Sequence, residues 1–399
     1  MRYWIAVGAA AALADCRDPV QLAQRPATPL AADVAASEAS YEITDLGTLG
    51  GNLGHALAIN ARGQVVGWSE TASRIRHAFL WEDGVMQDLG TLAGGFSSAS
   101  AINNRGDIAG FSTDAAGSAR TVLWTGGVLQ DLGAGGGPVL SETGLVAWTA
   151  WTPTGAHPQL WDHGQVVDLG TLGGAYASAT GINSRGQVVG WSDVPTASGA
   201  PHPFLWENGV MRDLGTFGGV FAVAAGINDR GQVTGSSTDA NVNSHAFLWD
   251  GEMVALGTLG ADRVSTGQLI NERGEVAGLS IRCNSCDARH PFLWDRGVMQ
   301  PAGGPDYRLT SFDDRVAAMN EMGQVVGWRE QGSPRHAFLW DGATRDLGTL
   351  GGPDEHSGAL AINNRGDIVG WSFVPTGEHP VLWRRTPASP SPAVVTSGR

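Results

Sequence analysis

Apolar residues along this chain arrive in short bursts that recur with a period of about 43 positions, the mark of a repeat architecture. The plainest burst ends in tryptophan. Aligning H-A-F-L-W at residues 77–81 with its counterparts places the last residue at Trp81, Trp124, Trp161, Trp206, Trp249, Trp294, Trp340 and Trp383. Each of these eight copies divides into four segments. In the first copy they are a small-residue run ending I-N (56–60), G-Q-V-V-G-W (63–68), H-A-F-L-W, and V-M-Q-D-L-G (85–90). All are short, β-branched or aromatic, and bounded by Gly, Asn or Asp, so they predict four β-strands, A to D in chain order.

A four-stranded unit of this size cannot bury both faces alone, so neighbours must stack face to face. An open solenoid would satisfy that need, but the ends of the array favour a circle. The chain enters on residues 41–47, a lone D strand, and leaves on 379–383, a lone C strand. Together these complete one sheet and remove the exposed strand edges. The sequence therefore predicts an all-β protein: an eight-bladed β-propeller of four-stranded antiparallel blades over residues 41–385. Pairing of the N-terminal D strand with the C-terminal C strand closes it, and a closed ring is expected to be a monomer.

Connection lengths separate the two faces of such a ring. From the strand A asparagine to the strand B glycine (Asn60 to Gly67) the spacing stays at seven residues wherever the copies align. N-x-R-G at 60–63, with Asp83-Gly84 and Asn208-Gly209, supplies the residues that tight hairpins require. The B–C and D–A connections vary in length and lie on the opposite face, where recognition residues sit on rigid scaffolds. The third copy replaces I-N-x-R-G by Leu140-Ser141-Glu142-Thr143-Gly144 and reads as the weakest blade.

Charge narrows the partners. The net charge of −14 disfavours nucleic acid and anionic membrane. All 25 basic residues are arginine, which excludes a Schiff-base lysine, a lysine general base and a Walker-type phosphate site. No cofactor is expected. An apolar stretch from Tyr3 to Ala14 ending Ala12-Leu13-Ala14 reads as a signal peptide (1–14), giving a periplasmic or extracellular protein. Cys16 leaves open a lipid anchor, and with it a membrane contact, although Asp15 breaks the small-residue rule before a lipobox cysteine. A non-cleaved apolar start is the third possibility. Residues 15–40, rich in Ala, Pro, Gln and Asp, and residues 386–399, rich in Pro, Ser and Thr, read as a disordered linker and tail.

The recurring H-A-F-L-W (at His77, His245 and His336), D-L-G-T-L-G-G (at Asp45, Asp168 and Asp346) and I-N-x-R-G-x-V-x-G (at Ile59, Ile182 and Ile227) resemble the bacterial extracellular HAF-repeat family. The likeness covers about residues 41–385. It implies export and a repeat fold, and transfers no activity, substrate or catalytic residue.

Four sets of residues invite a chemical reading. Seven histidines open C strands, but adjacent blades hold equivalent atoms too far apart for one metal, so hydrogen bonding is the expected role. Arg105-Gly106-Asp107 and Arg365-Gly366-Asp367 spell an adhesion tripeptide, yet the same turn elsewhere reads R-G-Q or R-G-E. Cys283 and Cys286 form C-N-S-C, which fits a local disulfide in an oxidising compartment, with free thiols or a metal site as alternatives. No metal site is assigned. Seven residues before each strand A asparagine, Phe96, Tyr176 and Phe221 form a candidate ligand-binding arc at the channel mouth, with Asp313 and His356 as polar handles.

Functionally, the variable face and the lack of a catalytic signature predict a non-catalytic binding or scaffold module for an unidentified glycan or protein. The rival is a polysaccharide hydrolase or lyase using the acids of the same rim and His356, through general acid–base chemistry. A purely structural surface repeat protein is the third reading.

Overall fold

The computed structural model describes residues 40–152, 155–196, 199–282, 289–302, 315–329 and 334–386. The expected signal peptide, linker, Cys16 and C-terminal tail lie outside these, as do Cys283, Cys286 and Asp313. The strands all fall within one compact unit, Tyr41–Thr386.

The strands form eight blades of four. Blade 1 holds β2 (Gly50–Ile59), β3 (Val65–Thr71), β4 (Arg76–Glu82) and β5 (Val85–Asp88), and blade 2 holds β6 (Ser97–Ile102), β7 (Ile108–Thr113), β8 (Ala119–Thr125) and β9 (Val128–Ala134). Blade 3 is β10 (Gly136–Leu140), β11 (Val146–Thr152), β12 (Gly155–Asp162) and β13 (Gln165–Asp168); blade 4 is β14 (Ala177–Ile182), β15 (Val188–Asp193), β16 (Pro201–Glu207) and β17 (Val210–Asp213). In blade 5 come β18 (Gly218–Ile227), β19 (Val233–Asp239), β20 (Ser244–Trp249) and β21 (Met253–Ala255), followed in blade 6 by β22 (Val264–Ile270), β23 (Val276–Ile281), β24 (Arg289–Asp295) and β25 (Val298–Pro301). Blade 7 contains β26 (Arg315–Met319), β27 (Val325–Arg329), β28 (His336–Trp340) and β29 (Thr344–Asp346). Blade 8 joins β30 (Ser357–Ile362), β31 (Ile368–Val374) and β32 (Gly377–Arg385) to β1 (Tyr41–Asp45) from the other end of the chain.

The closure is the one the sequence predicts. Tyr41 pairs with Arg385 and Asp45 with Val381 in an antiparallel register, so the first strand completes the last blade. One feature was not anticipated: a parallel pair, Leu53 with Glu378, links blades 8 and 1 into one eight-stranded sheet. An isolated parallel bridge at the equivalent positions, Ala156 with Tyr176, joins blades 3 and 4 without merging their sheets.

The B and C strands read as unbroken apolar runs because both their faces are covered. Val65, Phe79 and Trp81 pack against Val369 and Leu382 of blade 8, while the adjacent Val66 and Ala78 pack against Ile108, Val122 and Trp124 of blade 2. Buried apolar clusters of this kind occur at all eight blade interfaces, that between blades 8 and 1 included. The core is thus a circle of inter-blade layers rather than a centre.

Strand A carries a bulge at a matching place in seven blades, for instance between Ala56 and Ala58. The kink directs a carbonyl at the neighbouring B strand, where only glycine fits: a Cβ on Gly67 would lie 1.9 Å from the His55 oxygen. Blade 3 solves the same crossing the other way. It places Trp148 in strand B and glycine directly ahead of strand A, where a Cβ on Gly135 would meet the Thr149 oxygen at 2.3 Å. The third copy has lost the repeat motif, yet it keeps all four strands.

Candidate functional site

The A–B turns do more than reverse the chain. Asn60 Oδ1 accepts from the backbone N–H groups of Arg62 and Gln64, both at 3.0 Å, and its Nδ2 donates to Gln64 Oε1 and to the Asn103 carbonyl of the next blade. The same blade-to-blade bond runs from Asn103 to Ser141, Asn183 to Asn228, Asn228 to Asn271, Asn271 to Asn320, Asn320 to Asn363, and Asn363 back to Asn60. A belt of side-chain amides therefore circles the ring. It is interrupted after Ser141, which lacks an amide; there Thr143 Oγ1 donates to the Ser184 carbonyl at 3.2 Å instead.

A second belt lies beside the first. The next residue's N–H donates across the blade gap to a side-chain oxygen, as Ala61 does to Asn104, Asn104 to Glu142, Ser184 to Asp229, and Glu321 to Asn364. The turn arginine completes the clasp: a Cβ on Gly106 would meet Arg62 Nη2 at 2.5 Å, and one on Gly63 would meet Arg365 Nη2 at 2.5 Å. In the two R-G-D copies, Asp107 and Asp367 are each only 6% exposed and bind the turn asparagine and arginine. Burial pushes the Asp107 carboxyl up, but the Asn103 and Arg105 hydrogen bonds outweigh it and hold the group below the ordinary aspartate value. These turns are spent on internal bonds.

The strand C histidines are spent as well. His77, His157, His202, His336 and His379 each hold a strand D aspartate (Asp88, Asp168, Asp213, Asp346 and Asp45), and Arg120 holds Asp131. Where Ala255 and Pro301 replace that aspartate, His245 turns to Asp239 and His290 to Asp262. Among the described residues no group of three or more His, Cys, Asp or Glu is placed to hold a metal.

The opposite face carries the B–C and D–A loops. Its D–A loops are more regular than their lengths suggest: Leu49, Leu92, Leu172, Phe217, Leu259 and Leu350 each donate their N–H to a serine hydroxyl in the following B strand. The candidate arc does not form one cluster. Phe96 stacks on Phe111 of its own blade at 5.9 Å, Phe221 is half-buried and exchanges backbone bonds with the Thr238 hydroxyl, and Tyr176 is exposed. These three rings make no contact with one another among the described residues. His356 accepts from the Arg335 N–H through Nδ1 and lies edge-on to Phe373 at 5.4 Å.

Sequence reasoning missed the partner of His55. Across the closure between blades 8 and 1, His55 Nε2 lies 2.7 Å from Glu378 Oε2, with its ring 4.7 Å from Trp68 and 5.7 Å from Trp371. The Arg76 guanidinium caps Trp68 at 4.1 Å. The only hint in the sequence is that Glu378 stands where other copies place Arg76, Arg289 or Arg335. A carboxylate that fixes an imidazole is the arrangement of a positioned base, and here it also clamps the ring shut. The His55 hydrogen bond holds Glu378 below the ordinary glutamate value of 4.5, against the opposing effect of burial.

A depressed carboxylate stabilises the fold above its unfolded value and loses that contribution as pH falls through the folded one. Glu378→Gln is therefore expected to lower the melting temperature at pH 7, with a deficit that shrinks below pH 4.5. An equal deficit in melts at pH 7 and pH 3 would show that the charge is irrelevant.

No family model matches this chain, and no curated protein matches it. Solved structures similar to it include a β-propeller domain and align at low identity. The propeller domain of the trilobed protease from Pyrococcus furiosus aligns at 10% identity with a TM-score of 0.49, covering 76% of this chain and 99% of that one. Pyrococcus horikoshii acylaminoacyl peptidase aligns at 12% and 0.48, covering 82% and 58%. An Aleuria aurantia lectin solved with Fucα1-6GlcNAc aligns at 12% and 0.33, covering 74% and 97%.

Proposed function

We propose that this chain is an exported β-propeller of the HAF-repeat kind, acting as a binding or scaffold module that contacts glycan or protein through its loop face. What supports this is the contrast between the faces. Turn after turn on one face is closed by blade-to-blade hydrogen bonds. Side chains that differ from blade to blade, including exposed aromatic rings, collect on the other. A rigid ring with one internally satisfied face and one variable face suits recognition.

A polysaccharide hydrolase or lyase on the same face is the second reading, favoured by the His55–Glu378 pair. Incubating the full chain with bacterial and plant polysaccharides, while following melting temperature and reducing-end release, separates the two. Stabilisation without product is the expected result. Product release abolished by His356→Ala, Asp313→Ala or His55→Ala would replace the binding module with an enzyme. Silence across the panel would favour a purely structural protein.

A further inference from the structure

The junction of blades 3 and 4 carries two of the largest exposed rings on the loop face. Trp151 is 61% exposed and Tyr176 is 53% exposed. Both border Ala156, which pairs with Trp151 on one side and forms a parallel bridge with Tyr176 on the other. Cross-strand partners project to the same side of a sheet, so the two rings share a surface whose middle is a buried methyl group.

Asp193 joins them. Ala177 pairs with Ser192, and the next step of that register sets Asp193 against Tyr176, its N–H 2.8 Å from the Tyr176 carbonyl. No described residue hydrogen-bonds to or ion-pairs with its carboxylate, and burial alone pushes that group above the ordinary aspartate value. The corresponding position is acidic in the first and seventh copies as well, Glu70 and Glu330, and holds Thr113, Thr238, Ile281 and Phe373 in four others. What sets Asp193 apart from Glu70 is that the Glu70 carboxylate accepts from the Asn52 N–H and lies near Arg74.

We infer that Trp151, Tyr176 and Asp193 form a subsite for a neutral oligosaccharide of at least two rings, an inference that rests on the loop-face reading above. Two strand spacings separate the aromatic residues, about 10 Å between their backbones. The Trp151 ring leans over Gly136, away from Tyr176: a Cβ there would stand 3.3 Å from its Cη2. Splayed rings cannot both lie within about 6 Å of one cation, which disfavours a quaternary ammonium cage. They do present two flat apolar surfaces to a ligand lying across them. Sugar rings offer C–H faces for such surfaces, and their hydroxyls donate to an unpaired carboxylate as charge-assisted hydrogen bonds. The same carboxylate repels uronates.

Calorimetry on the full chain with cellotetraose, chitotetraose, mannotetraose and xylotetraose, with tetragalacturonate and choline as controls, tests this. We expect at least one neutral tetrasaccharide to bind and both controls to fail. Trp151→Ala and Tyr176→Ala should each weaken binding about tenfold, the size of one aromatic contact, with melting temperature unchanged. Asp193→Asn should weaken it as well. Choline binding without sugar binding, or no binding at all, overturns the subsite. Sugar binding that survives all three substitutions also overturns it, yet leaves the loop-face reading intact at another position.

Discussion

Asn363→Ala will destabilise the ring by about 3 kcal/mol, because the substitution removes four hydrogen bonds at the place where the circle closes and leaves the buried Asp367 N–H without a partner. Asn363 is 5% exposed and serves four bonds: to the Asn60 carbonyl, to Asp367 Oδ2, and from the N–H groups of Arg365 and Asp367. Each orphaned buried group costs about 1–3 kcal/mol, reduced where water can reach the turn. The converse substitution sits in blade 3. Ser141→Asn would supply the missing amide donor toward Asn183 and is expected to add about 1 kcal/mol. Urea unfolding of both variants checks the pair. A loss under about 1 kcal/mol for Asn363→Ala would reduce the belt to an ordinary set of turns.

Gly235→Ala should cost at least as much, for a steric reason. Its Cβ would stand 2.0 Å from the Val223 oxygen and 2.9 Å from Phe247 Cε1, so backbone and a buried ring would both have to move. Overpacking of this kind costs about 1–3 kcal/mol when side chains yield and more when the obstacle is main chain. Gly190 and Gly370 face the same obstacle at 1.9 Å, so alanine there should give matching losses. A small loss at all three sites in calorimetric melts would mean that the strand A bulge relaxes freely.

Much of this architecture was legible in the sequence, for a definite reason. Burial on both sides of a strand leaves an unbroken apolar run such as V-V or A-F-L-W, and the lone D and C segments at the two ends announced the closure. What stayed hidden depends on contacts between copies. The asparagine of N-x-R-G satisfies a tight turn and an inter-blade bond at once, and one residue type cannot reveal two roles. His55 and Glu378 are 323 residues apart and meet only once the ring exists. Equal register likewise did not give Phe96, Tyr176 and Phe221 equal surroundings. Phe96 is covered by Phe111, whereas Tyr176 has Asp193 beside it and stays open. Trp151 escaped notice because it belongs to the copy that departs furthest from the pattern.

The antiparallel register of β1 on β32 has a mechanical consequence. With Tyr41 opposite Arg385 and Asp45 opposite Val381, both chain ends leave from the same end of the pair. Tension applied between them would part the two strands rung by rung, as a zipper opens, instead of loading every rung together in shear. A molecule tethered at both ends would yield at this joint first.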